Sequence, residues 1–289
     1  MGVSSKLLAS VAAVGLGLVG SMAHGSIVHQ YTFNNGTAND SVGGANGTLE
    51  GAATISGGQL LLTGNNADYV SLPAATIDIS SYTAVSFVTW FTAPTTPAAN
   101  SQLFALGGTS GGNGYGYILA NPNSGGSSPS YRTAISAGPS TEPGWQYGET
   151  SINGGLTSTI VGNGQHQLVV TDDNSTLSIY LDGVLKASTS IPTSNLLSGL
   201  SDTLAYIGKS LYGSDPGFNG SINEFDIYNN ALSASSVTTL YNAGPSTAVP
   251  ESQPHWACSP SAGWACCLPA AAKRPAKGRI NCSAVDDNT

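Results

Sequence analysis

The chain has 289 residues, of which only 8% are charged and 37 are glycine, and its formal net charge is −8. Low charge with abundant Gly, Ser, Thr and Asn is unlike a cytosolic enzyme and matches exported all-β proteins, in which many strands are joined by tight turns. Between Ile27 and Pro250 there are three basic residues (Arg132, Lys186, Lys209) against thirteen acidic ones, so a basic patch is excluded and with it nucleic acid or an anionic membrane as partner. Calcium and neutral sugars fit this balance, and so does acidity that serves only solubility.

Taken in order, Met1–Ala23 reads as a secretory signal peptide. Lys6 supplies the positive end, Leu7–Val19 an apolar run, and Ser21-Met22-Ala23 small residues for cleavage. The run is too short for a membrane span, so the mature chain is expected to begin near His24, to be secreted, and to carry no transmembrane segment. Ile27–Phe33 alternates as a first strand. A polar Gly/Asn loop follows and closes at Thr48-Leu49. Gln59–Leu62 and Tyr69–Leu72 are short strands around a turn at Gly64-Asn65-Asn66. Tyr82–Thr92 is dense in β-branched and aromatic residues and is the strongest strand, with Trp90 placed in the core.

Gln102–Leu106, Tyr115–Leu119 and Tyr131–Ser136 are further strands, set among Gly/Ser/Pro-rich loops between Ala120 and Thr150. Gln165–Thr171, Thr176–Leu181 and Val184–Ser190 form a meander in which Asp182-Gly183 suits a type I′ turn. Leu204–Lys209 precedes a closing strand in which Asn223, Phe225 and Ile227 share one side and Ile222, Glu224, Asp226 and Tyr228 the other. Ser233 can cap a short helix over Ala234–Tyr241. Many short strands at regular spacing imply an antiparallel sandwich in one domain, residues 27–244.

Composition changes after Pro250. All four cysteines (Cys258, Cys266, Cys267, Cys282) lie beyond it, without C-x-x-C spacing or surrounding strands. Thr247-Ala-Val-Pro-Glu251 resembles the start of a PEP-CTERM sorting tail of exported bacterial proteins, but no apolar helix follows. Shifting the reading frame by one base turns Gly263–Leu268 into a Leu/Gly-type run and gives Pro269–Ala272 codons that include Arg. Residues 245–289 are therefore read as a frameshifted, disordered sorting tail, a reading that the gene's nucleotide sequence tests.

The order of motifs (YTF; DYVSLP; SFVTWF; LFALGG; HQLVVT; STLSIYLDGVLKAS; LAYIGK; FNGSINEFDIYNNALS) resembles the laminin-G-like domains of the concanavalin-A-like lectin and glucanase superfamily. The resemblance spans roughly His29 to Gly244 and implies an all-β, two-sheet jelly roll with one short C-terminal helix. It also implies a structural Ca²⁺ held by Asp40, Asn46, and Asn223 or Glu224, oxygen donors of the kind calcium takes. A laminarinase-like glycosidase would need a third acid after Glu224 and Asp226, where this chain has Asn229. No H-E-x-x-H occurs, and His29 and His166 have no partner nearby in sequence. A non-enzymatic role is expected: binding of an extracellular glycan or surface protein, through Tyr115, Tyr117, Tyr131, Trp145 and Tyr147 beside the Gly/Ser-rich loops. The alternatives are a structural surface component without a ligand and a diverged glycoside hydrolase.

Overall fold

The computed structural model describes residues 26–162 and 164–247, with Trp256–Ala257 and Leu268–Pro269 beyond them. The signal peptide and nearly all of the sorting tail lie outside the described residues. The chain divides into two units, Met1–Thr247 and Ala248–Thr289; in the second, Trp256–Ala257 pairs antiparallel with Leu268–Pro269.

The first unit is a sandwich of two antiparallel sheets. The eight-stranded sheet runs β13 (Val184–Ser190), β12 (Thr176–Leu181), β11 (Gln165–Asp172), β6 (Val85–Thr92), β15 (Asn219–Tyr228), β4 (Gln59–Thr63) and β3 (Thr54–Ser56), with β1 (Ile27–Tyr31) on the far half of β15. The seven-stranded sheet runs β10 (Thr150–Leu156), β9 (Ser130–Ser136), β8 (Asn113–Asn121), β7 (Phe104–Ser110), β14 (Leu204–Ile207), β5 (Tyr69–Leu72) and β2 (Thr48–Glu50). This is the expected jelly roll. The local signals hold: Asp182 and Gly183 both take positive φ (52° and 78°), as a type I′ turn requires, and, after the single turns α1 (Ala74–Ile77) and α2 (Gly144–Tyr147), Ser233 Oγ accepts from Ser236 N to cap helix α3 (Ala234–Ala243).

Side-chain alternation packs the inner faces together. Phe87 of β6 stacks on Phe104 of β7 at 4.6 Å between ring centroids, and Phe225 of β15 lies 5.3 Å from Phe104. Such ring pairs add about 0.5–1.5 kcal/mol each beyond the area they bury. The outer face of the eight-stranded sheet is covered as well. There Val88, Trp90, Val169, Tyr180 and Tyr228 pack with Leu232 and with Val237 of α3, and Trp90 stacks on Tyr241 at 5.9 Å. Trp90 is thus buried, but outside the main core.

Two expectations change. The long strand begins at Val85 rather than Tyr82. The alternation of β15 is broken by a bulge: Ile222 pairs with Phe91 and Glu224 with Trp90, so Asn223 is the extra residue. Ile222 therefore joins Phe225 and Ile227 in the core instead of lying beside Glu224.

Candidate functional site

The outer face of the seven-stranded sheet carries a cleft built from β8 and β9 and the loops around them. Along β8, Ile118 and Ala120 point inward, leaving Tyr117 and Leu119 outward; along β9, Tyr131 and Ile135 point inward, leaving Arg132 and Ala134 outward. A single helical turn, α2 (Gly144–Tyr147), sits on this face. It can do so because residue 144 is glycine: a Cβ there would stand 2.3 Å from Tyr117 Cε1. The turn projects Trp145, 58% exposed, over the sheet.

A chain of hydrogen bonds fixes the floor. The backbone of Trp145 bonds to the Tyr212 hydroxyl, Tyr212 donates to the Tyr117 hydroxyl (3.2 Å), and Tyr117 donates to Glu149. Glu149 also accepts from Arg132 Nη1 at 3.0 Å. Burial first, then the charge of Glu149, push the Tyr117 phenol far above its ordinary range, so it remains a neutral donor. Asp215 accepts from Ser210 Oγ (2.7 Å); burial raises its carboxyl, and Ser210 and the Arg132 charge oppose the rise.

The cleft holds a cavity of about 220 Å³ lined by Asn100, Gln102, Tyr117, Arg132, Trp145 and Asp215 among others. Gln102 Oε1 and Arg132 Nε are buried without a hydrogen-bond partner. An exposed indole beside unspent amide and guanidinium groups is suited to stacking on a polar ring and bonding its hydroxyls.

Of the aromatics expected to bind, Tyr117 and Trp145 meet here. Tyr131 does not: its place beside outward-facing Arg132 turns it into the core, 2% exposed, where its hydroxyl donates to Gly154 O. Tyr115 packs over Gly108 and Tyr147 over Gly138, where a Cβ would lie 2.4 Å and 2.7 Å from them. Sequence reasoning missed Asn100, Gln102, Arg132, Glu149, Tyr212 and Asp215. The one available signal was Arg132, the sole arginine before the tail.

The donor set expected for calcium does not fit the ion. Asp40 Oδ1 accepts from the backbone amides of Gln30, Val42 and Gly43, and Oδ2 from Ala45 N and His29 Nδ1 (2.7 Å). Burial alone would raise this carboxyl, but these bonds hold it down at about 2. With its lone pairs so engaged, Asp40 has none to spare for a cation. Asn46 Oδ1 accepts from Asp40 N, and Glu224 is bonded elsewhere, to Gln30 and Ser246; Asn223 Oδ1 is buried without a partner at the bulge. Among the described residues no three His, Cys, Asp or Glu side chains group as a metal site.

Both strand histidines do have partners, further along the chain. Asp40 joins His29 Nδ1 to the amide of Gln30, and Asp182 joins His166 Nδ1 (2.8 Å) to the amide of Gln167, one device used twice.

Residues 63–238 match the family described as the concanavalin A-like lectin/glucanases superfamily. No curated protein matches the chain. Among solved structures, domain 4 of AbnA, an extracellular GH43 arabinanase from Geobacillus stearothermophilus, in complex with arabinotriose, is similar at TM-score 0.56 and 20% identity, over 74% of this chain and 98% of that one. The CBM40 of the Ruminococcus gnavus IT-sialidase bound to α2,3-sialyllactose is similar at TM-score 0.50 and 12% identity, over 63% and 95%. The binding domain of botulinum neurotoxin DC, in complex with rat synaptotagmin II, is similar at TM-score 0.54 and 16% identity, over 75% of this chain and 51% of that one. At these identities the likeness is one of fold.

Proposed function

The chain belongs to the concanavalin A-like lectin/glucanases superfamily, and from that premise we propose that it is an exported, non-catalytic binding domain that takes a neutral glycan on the outer face of its seven-stranded sheet. The observation that carries this reading is Trp145, held exposed over a rigid floor beside Arg132, Asn100 and Gln102. Arabinotriose and sialyllactose in complexes of the same fold make a sugar the natural ligand class. Charge then selects among sugars: the cleft holds one cation, Arg132, already paired to Glu149, and a second carboxyl at Asp215. A carboxylated sugar would meet two acids for one base, whereas a neutral sugar meets amides, hydroxyls and an indole.

A glycosidase is disfavoured by the residues themselves: both oxygens of Glu224 are taken up by bonds from Gln30 and Ser246, and Asn229 stands where a third acid is needed. Export rests on the signal-peptide pattern of Met1–Ala23. The test is a glycan array probed with the full chain. Neutral oligosaccharides are expected to be retained over sialylated or uronic-acid glycans; retention of acidic glycans alone, or of none, overturns the proposal.

A further inference from the structure

The two carboxyls that the sequence places at i and i+2 on β15 open onto a second cavity, of about 350 Å³, on the outer face of the eight-stranded sheet. Trp90 and Tyr228 form part of its wall, Leu240 and Ala243 of α3 another, and the segment from Gly244 to Thr247 closes one side. Glu224 is fully occupied. Its Oε1 accepts from Gln30 Nε2 and Ser246 Oγ, both at 2.8 Å, and its Oε2 from Ser246 N at 2.6 Å.

Asp226 is not. It lines the same cavity, is 4% exposed, and its Oδ1 has no hydrogen-bond partner. A buried acceptor without a donor is costly, and native proteins rarely leave one. Gln30 and Glu224 both bond to the Asp226 side chain: burial first, then the Glu224 charge, push its carboxyl well above the ordinary carboxylate range against the bond from Gln30, so that without a cation it keeps its proton, and no Lys, Arg or His lines the cavity. The terminal torsion of an aspartate is broad and twofold, so a small rotation presents either oxygen to the cavity.

What fits this space must carry N–H donors, positive charge and a carbon stem. A divalent metal ion does not meet the need, because the Glu224 oxygens already face N–H and O–H donors and a calcium ion takes six to eight oxygens. An ammonium group offers Asp226 the N–H that its own proton would otherwise supply, and an aliphatic stem finds Val88, Leu240 and the Trp90 and Tyr228 rings. We propose that this cavity is a second binding site, for a primary alkylammonium group on a free amine or a lysine side chain, with Asp226 as its anionic partner.

The test is calorimetric titration of the full chain at pH 8 with n-butylammonium, with Nα-acetyl-lysine N-methylamide, and with n-pentanol as a neutral control one methylene longer. Saturable binding of n-butylammonium is expected, with none of n-pentanol. Uptake of the lysine derivative as well assigns a lysine side chain; its failure beside a binding amine assigns a free amine. Asp226→Asn, isosteric with the wild type, should weaken amine binding at least tenfold. Ala243→Leu, at an exposed helix position, should block the cavity without touching either acid. Failure of both amines to bind, equal binding of n-pentanol, undiminished binding in both variants, or saturable binding of calcium chloride instead of the amines would each overturn the assignment.

Discussion

Replacing Arg132 by methionine separates the structural part of the cleft floor from its binding part. Arg132 Nη1 lies 3.0 Å from Glu149 Oε1, and the two side chains are 23% and 10% exposed. Removing the guanidinium leaves a nearly buried carboxylate with the Tyr117 hydroxyl as its remaining side-chain partner. Breaking one side of a fully buried pair costs about 3–5 kcal/mol, whereas an exposed pair is worth about 0–1 kcal/mol. The partial burial here places the cost at about 2–3 kcal/mol. In a domain of this size that lowers the melting temperature by about 5–10 °C. Adding Glu149→Gln removes the stranded charge while keeping an acceptor for Tyr117, so the double variant should recover most of the loss. Glycan binding should stay weak in both, because the cleft has lost the guanidinium N–H donors that face a sugar hydroxyl. Urea unfolding and thermal melts read the first effect, and titration with a bound glycan the second. A single variant as stable as wild type, or a double variant no better than the single one, would show that Arg132 does not hold a costly charge at Glu149.

Two further outcomes concern the frame that holds the sites. Asp172 sits at the end of β11 with Oδ2 unpartnered, and burial first, with the charge of Asp173, pushes its carboxyl up to about 6 despite the bond from Asn174 N. A folded value above the unfolded 3.8 means that the ionised group opposes folding at neutral pH, and that stability is regained as pH falls from about 6 through 3.8. Asp172→Asn should therefore stabilise the protein at pH 7 by up to about 3 kcal/mol, and the gain should vanish near pH 4; pH-dependent melts check it. Gly43→Ala should destabilise by about 1–3 kcal/mol or more, since its Cβ would fall 2.2 Å from Val28 O and 2.4 Å from His29 Nδ1, driving apart the His29–Asp40 pair. Denaturant unfolding measures that loss.

Much of the fold is legible in the sequence where the signal is local. The β11–β12–β13 meander reads from clean alternation and its Asp182-Gly183 turn, and α3 from its Ser233 cap. β2, β3 and β10 are not legible, because TLE, TIS and TSINGGL carry little apolar pattern. Gly154 and Gly155 in β10 serve instead to admit the Tyr131 ring, which a Cβ on Gly154 would meet at 2.2 Å. The bulge at Asn223 hides itself, because one inserted residue shifts the apparent face of everything before it.

The cleft was half legible for a related reason. Trp145 and Tyr117 stand out as aromatics beside glycine-rich loops. Their partners come from β9, from Glu149 two residues beyond α2, and from the loop between β14 and β15, and only the sheet order brings those together. The glycine that lets α2 rest on Tyr117 carries no sign of that role in the sequence.

Trp145 is the proposed anchor of a glycan-binding face. The most direct measurement is the affinity of the full chain for a neutral oligosaccharide retained on the array, compared with Trp145→Ala. At 58% exposure the side chain contributes little to the core, so the variant should keep its melting temperature. Loss of a stacking indole at a binding hot spot should weaken the glycan by about 2 kcal/mol or more, roughly thirtyfold. An unchanged melting temperature with at least a tenfold loss of affinity is expected; unchanged affinity in Trp145→Ala would rule the indole out as the anchor.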